Sequence, residues 1–251
     1  MKRSGLLRLA TVAAGCVLLG WTILTFPILS RTAPAERLAG RLISGVAAKA
    51  DVIEGRLAEI DAAAPSDPGR AATKRAEAIM RLALYEEAAA STRTDLADAR
   101  LKSLQHSLRE ALHFIPSDPY LWLVLFSIEN AAVGYKSDHL EYLRMSYRLG
   151  PHEGWISLKR NPVTLAMLPA LDPELARDVL DEFASLVEND LYQEASAIFA
   201  NTNPANRDRI LARLASVSEP NRRRFSQELA IRLPYVAVPG ISREDQRPWK
   251  R

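Results

Sequence analysis

LQHSLREALHFIPSDPYLWLVLFSIENAAVGYKSDHLEYLRMSYRLGPHEGWISL, residues 104–158, contains one helix-closing pattern twice. Leu108, Ala111 and Pro116 return thirty-five residues later as Leu143, Ser146 and Pro151, and each proline is soon followed by a tryptophan, Trp122 and Trp155. A period of that size marks stacked helical hairpins. One hairpin cannot bury its apolar face alone, so the rest of the chain is expected to supply neighbours. The pattern speaks to architecture and carries no chemistry.

These residues resemble the tetratricopeptide repeat. Leu108, Ala111 and Pro116 match the end of a second helix, Trp122 with Leu125 the start of the next first helix, and Leu143, Ser146 and Pro151 that repeat's close. Phe126 stands where the family has a small residue, Glu129 where it has Tyr, and Trp155 falls about two residues early against Trp122. The resemblance covers roughly a fifth to a quarter of the chain. It implies an all-α fold of stacked antiparallel helical hairpins, an irregular α-solenoid used for protein–protein interaction. Most aromatics of such repeats are core, which is expected of Trp122 and Phe126. Tyr120 and Tyr147 are the candidate partner-binding rings.

Ala and Leu dominate the 251 residues and Gly numbers 11, which agrees with a helical chain long enough for one sizeable core or two small ones. Its basic balance is terminal. Residues 1–50 carry seven Lys and Arg against one acid, 51–100 seven against ten, 101–200 eight against fourteen, and 201–251 eleven against five. An acidic middle repels a polyanion, so nucleic acid is not expected as a partner. The single Cys16 leaves no disulfide framework.

Residues 1–8 form a short basic segment, and 9–30 run twenty-two residues without a charge. At about 1.5 Å per residue that is roughly 33 Å of helix, enough to cross a hydrocarbon core of about 30 Å. A spanning anchor is the reading adopted. A signal cleaved after Ala33 and Ala35, and a lipoprotein signal ending at Cys16, are the alternatives. Lys2, Arg3 and Arg8 crowd before the span while Arg31, Arg37 and Arg41 are spread after it, so the body is placed outside the cytoplasm, on the periplasmic side of a bacterial inner membrane.

Residues 31–64 are read as a membrane-proximal amphipathic helix, helical from 36 to 63. Ala39, Ile43, Val46, Ala50, Ile53, Leu57, Ile60 and Ala64 alternate spacings of four and three, a heptad seam suited to a coiled-coil spacer. Extra apolar Leu38, Leu42 and Val52 favour packing on the chain's own domain instead. From 65 to 232 a helical domain is punctuated by Ser66-Asp67-Pro68, Ser117-Asp118-Pro119, Asn161-Pro162, Asp172-Pro173, Asn203-Pro204 and Glu219-Pro220, each a cap followed by a first-turn proline. The spacing predicts helices near 68–90, 95–114, 119–133, 138–149, 152–160, 162–169, 173–188, 190–200, 204–216 and 219–232. Pro234, Pro239 and Pro248 make 233–251 an extended or disordered tail.

No catalytic constellation has the required spacing, so no catalytic residue, metal or cofactor is assigned. His106 and His113 share a helix face with Glu110, but a zinc site wants a further ligand, and neither His139 nor His152 is local to it. Acids between Asp172 and Glu194, including Asp181 with Glu182 and Glu188 with Asp190, read as the solvated face of a helix whose apolar stripe is Leu175, Val179, Phe183, Leu186 and Val187. A glycan hydrolase or lyase would need one of them held protonated in a cleft. The C-terminal arginines, Arg207, Arg209, Arg213, Arg222, Arg223, Arg224 and Arg232, with Arg243, Arg247, Lys250 and Arg251, can attract anionic lipid, acidic polysaccharide or an acidic partner. Arg222, Arg223 and Arg224 join Tyr120 and Tyr147 as candidate partner-binding residues. The expected function is a membrane-anchored interaction or scaffold module of an envelope complex, with surface polysaccharide synthesis or export as the candidate process. An envelope glycan hydrolase or lyase and a coiled-coil spacer are the alternatives.

Overall fold

The computed structural model describes residues 2–63, 71–91, 93–151 and 153–242, with the backbone alone described at 2–10, 23–32 and 63. Every regular element among the described residues is helical, as the composition and spacing require. Ser66-Asp67-Pro68, His152, Pro248 and the basic residues from Arg243 to Arg251 lie outside the described residues, as do the side chains of the basic segment 1–8. The chain divides into two compact units, Met1–Ser117 with Ser127–Gly134, and Asp118–Phe126 with Tyr135–Arg251.

The first unit holds α1 (Lys2–Ile43), α2 (Ala50–Ala63), α3 (Ala71–Ala89) and α4 (Thr94–Phe114). α3 packs on α1, α2 and α4. The core joins Ala35, Leu38 and Ala39 of α1, Ile53 and Leu57 of α2, Ile79, Met80 and Leu84 of α3, and Leu104, Leu108 and Ala111 of α4. Each fully buried Leu or Ile contributes about 1.5–3 kcal/mol. Arg100 ties three helices together, donating to the Leu84 carbonyl at 2.8 Å and to Glu54 at 2.8 Å. The apolar run 9–30 lies in α1. Among the described residues no helix is long and apolar enough to cross a membrane, and the side chains at 9, 10 and 23–30 lie outside them.

The expected helix over 36–63 is two helices. Gly45 adopts φ +84°, its N–H donating to the Leu42 carbonyl at 3.0 Å while Val46 N–H reaches the Arg41 carbonyl at 3.0 Å. This paired closure is a Schellman ending, and it needs a left-handed residue that glycine supplies without strain. The heptad seam is cut at its centre. Ala39, Ile53 and Leu57 are spent in the unit's own core and Val46 is exposed, which removes the seam a coiled-coil spacer requires.

The second unit takes the first half of α5 (Pro119–Val133), a 3₁₀ turn at Ser137–His139, α6 (Leu140–Leu149), α7 (Gly154–Ala166), α8 (Pro173–Glu188), α9 (Tyr192–Asn201), α10 (Pro204–Arg213) and α11 (Glu219–Arg232). The proline punctuation works as capping physics says. The Asp118 carboxylate accepts from Tyr120 N and Leu121 N, Asp172 from Glu174 N and Leu175 N, and Asn203 from Ala205 N. α8 is the centre, packing on α7, α9, α10 and α11. Its Phe183 meets Phe199 at 6.3 Å and Phe225 at 5.8 Å between ring centroids, and all three rings are fully buried.

Two sites depart from the punctuation: α11 starts on Glu219 behind an N-cap Ser218 that makes no side-chain bond, and Asn161-Pro162 lies inside a helix. α7 runs through it, so the two helices expected at 152–160 and 162–169 are one. Asn161 spends its amide across the interface, donating to the Val179 carbonyl of α8 at 3.0 Å, and therefore caps nothing. The tail expected from Leu233 is ordered through 242, with Val238 buried and Pro239 held by Arg222. Phe126 is core, whereas Trp122 is only half-buried and stacks on Tyr142 at 5.9 Å.

α6 approaches the start of α5 closely. Ser146 donates its hydroxyl to the Pro119 carbonyl at 2.8 Å, and a Cβ built on Gly150 would stand 2.7 Å from Pro119 Cγ. That contact is too short for any side chain and its neighbour is a ring that cannot swing away. Gly150→Ala is therefore expected to lower stability by about 1–3 kcal/mol in a urea melt. A loss under about 0.5 kcal/mol would show that this junction yields.

Candidate functional site

A groove of about 490 Å³ opens in the second unit between α6 and α8. Arg144 and Arg148 of α6 form one wall, and Glu174, Asp178 and Asp181 of α8 form the other. Positions 174, 178 and 181 are four and three apart, which sets the three acids on one helix face. Tyr147 and Glu182 line the groove beneath these walls.

Tyr147 and Glu182 belong to a buried polar network. Arg160 is 0% exposed and Glu182 4%. The Arg160 guanidinium donates Nε to Glu182 Oε1 at 2.9 Å, Nη2 to the same oxygen at 2.5 Å and to the Gly150 carbonyl at 2.9 Å, and Nη1 to Ser146 Oγ at 3.0 Å. The second carboxylate oxygen of Glu182 accepts from Tyr147 OH at 2.9 Å and Asn161 Nδ2 at 3.3 Å. Arg160 also lies 3.9 Å above the Tyr147 ring, a cation–π contact. Burial, then the Glu182 carboxylate, push the Tyr147 phenol well above its ordinary value, so it stays a neutral O–H donor. A buried charge is tolerable only when paired and bonded, and this one is both. The groove therefore has a rigid base.

Its walls are less satisfied. Arg144 is held by Asp172 at 2.6 Å and Glu141 at 3.0 Å, and Asp181 pairs with Arg213. The Arg144 guanidinium, then the Leu175 N–H, hold Asp172 below its usual value. Glu174 and Asp178 form no ion pair among the described residues. Burial, then the like charges of Glu174 and Asp181, raise the Asp178 carboxyl. Asp178 remains solvent-exposed, with Arg177 offsetting part of the negative field of its neighbours, and is not a proton-holding acid in a dry cleft.

Of the residues proposed from sequence, Tyr147 lies at this groove and the others fall elsewhere. Tyr120 is 7% exposed and Tyr147 6%, so little of either ring is at the surface. Tyr120 packs on Trp155 at 5.2 Å, and Tyr147 serves the network. Arg222 donates to the Pro239 carbonyl at 3.0 Å and is a clasp for the tail. Arg223 and Arg224 are exposed, bound loosely to Glu219 at 2.9 Å and Asp190 at 3.9 Å. Arg213 and Arg224 thus reach the acidic stretch of 172–194. His106 stands 3.9 Å from Glu110, which is engaged by Lys74 at 3.0 Å, and His113 turns to Phe114. Among the described residues no group of three potential ligands is placed to hold a metal ion.

Arg160 was missed in the sequence, and Glu182, read there as part of a solvated helix face, is buried. Their signal is positional: Glu182 interrupts the apolar stripe Leu175, Val179, Leu186, and Arg160 stands one turn from Ile156 and from Thr164. A charge on a core stripe needs an opposite charge on the facing helix. Compared with family models, curated proteins and solved structures, the chain matches none.

Proposed function

We propose that this chain is a membrane-anchored, tetratricopeptide-like interaction module of a bacterial cell envelope, whose α6–α8 groove takes a basic segment of a partner protein. The observation that carries the reading is the groove itself, with two unpaired acids on a wall above a locked base. A cation placed beside Glu174 and Asp178 relieves their mutual repulsion, and a preorganised base keeps the ordering cost of binding low. The anchor rests on the uncharged run 9–30 and on Val12, Val17, Leu18, Leu19 and Trp21, all exposed on one helix. A helix apolar on every side needs a core or a bilayer around it. Periplasmic placement rests on the crowding of Lys2, Arg3 and Arg8 before that run.

A glycan hydrolase or lyase draws on the same acids. The raised Asp178 speaks for it, but a solvent-exposed carboxyl is a weak general acid, and Tyr147 is spent beneath Arg160 and cannot stack on a sugar.

The test is binding of a fluorescent arginine- and lysine-rich decapeptide to the purified chain. Binding is expected to weaken with salt, since attraction is screened over about 8 Å at physiological ionic strength. E174Q/D178N should weaken it roughly threefold to tenfold with an unchanged melt. Affinity unaltered by the double variant would remove the groove from the reading, and glycan cleavage abolished by D178N would replace it with the enzyme.

A further inference from the structure

We infer that the pocket between α1 and α2 in the first unit binds the headgroup of an anionic phospholipid. The inference rests on the anchor reading above. The pocket, about 510 Å³, is lined by Pro34, Arg37, Leu38 and Arg41 of α1 and by Val52 and Arg56 of α2. Arg37 and Arg41 are one turn apart on one helix face, both exposed, and neither forms an ion pair among the described residues. Arg56 is paired with Glu59 at 2.5 Å, an exposed bridge of the kind that contributes little and is readily exchanged.

Arg37, Arg41 and Arg56 line one opening chiefly with their aliphatic stems, and three arginines at one rim can turn their forked N–H donors onto a phosphate diester. The wall between them is apolar, formed by Pro34, Leu38 and Val52. That combination fits a phosphate carrying a glycerol and acyl stem better than a free phosphate, which would leave the apolar wall wet. Height on the anchor agrees. If hydrocarbon ends near Ser30, Pro34 stands about 6 Å and Arg37 about 10 Å farther along the helix, and tilt brings both nearer. The headgroup layer is about 5–8 Å deep on each side, within reach of a long arginine side chain.

The test uses the full-length chain in nanodiscs of phosphatidylcholine alone and of phosphatidylcholine with phosphatidylglycerol, followed by native mass spectrometry of the lipid retained on mild release. Phosphatidylglycerol should be retained over phosphatidylcholine, and R37Q/R41Q should cut that preference by about fivefold for each arginine. The two arginines are exposed, so the variant should melt with the wild type. Inorganic phosphate at millimolar concentration should not compete, and if it does the site is a free-anion site and the lipid assignment falls. Incorporation into both discs with equal retention of the two lipids overturns the inference and leaves the anchor standing. Failure to incorporate into either disc overturns the anchor and the lipid site together.

Discussion

Arg160→Met lowers the stability of the chain by about 3–5 kcal/mol in urea denaturation, because it strands a carboxylate in the core. Glu182 is 4% exposed and loses two of the four contacts that solvate it in wild type, leaving Tyr147 OH and the longer Asn161 Nδ2 donation on one oxygen and nothing on the other. Ser146 Oγ and the Gly150 carbonyl lose their donors as well. Glu182→Leu alone is expected to cost a similar amount by leaving the guanidinium unpaired. The double variant R160M/E182L should recover most of the loss, since a buried pair replaced by apolar side chains is often neutral or better. A double-mutant cycle then gives a large coupling energy, beyond the additivity seen between distant sites. Single variants that each cost under about 1 kcal/mol would mean that water reaches this network.

Removing residues 1–32 converts a chain that sediments with membranes into one that does not. Wild type should stay in the pellet through high salt and alkaline carbonate, because a helix of about twenty apolar residues inserts almost irreversibly. The truncated chain keeps Ala35, Leu38 and Ala39, the residues through which α1 packs on the first unit, so it should fold and appear in the supernatant with a helical signal lowered only by the part of α1 removed. Recovery of wild type from the supernatant, or a mature N-terminus near Glu36, would replace the anchor with a cleaved signal.

What was legible in the sequence was the part written in local chemistry. Asp118-Pro119 and Asp172-Pro173 announce helices whose observed spans, Pro119–Val133 and Pro173–Glu188, are those read from the caps. Leu175, Val179, Phe183, Leu186 and Val187 form the buried stripe that their spacing implies. The failures have one cause, which is that a pattern does not say what a side chain is bonded to. Asn161-Pro162 looks like a cap and is not one, because Val179 takes the amide. Val46 and Ala50 keep a heptad spacing across a loop, because periodicity counts residues and not the left turn at Gly45. Lys159 and Arg160 are neighbours of equal charge, and only the second faces a carboxylate on α8. The groove was out of reach for the same reason: its two walls come from helices whose relative placement depends on tertiary packing, and Glu174 differs from Glu182 only in which way the helix is turned.

α1 carries a mechanical consequence. It is one helix from Lys2 to Ile43, 42 residues or about 63 Å, and its last turns are packed inside the first unit. No linker separates the apolar run from that core. Pro27 and Pro34 each lack the N–H of one rung in the hydrogen-bond ladder, yet the helix is continuous through both. A transmembrane helix tilts to match the thickness of its bilayer. With a swivel, such tilt would be lost before it reached the folded body; along a continuous rod it is passed on as rotation of the first unit. On the anchor proposed above, the attitude of that unit relative to the lipid surface would follow the bilayer's own thickness, and a thinner membrane would lean it over.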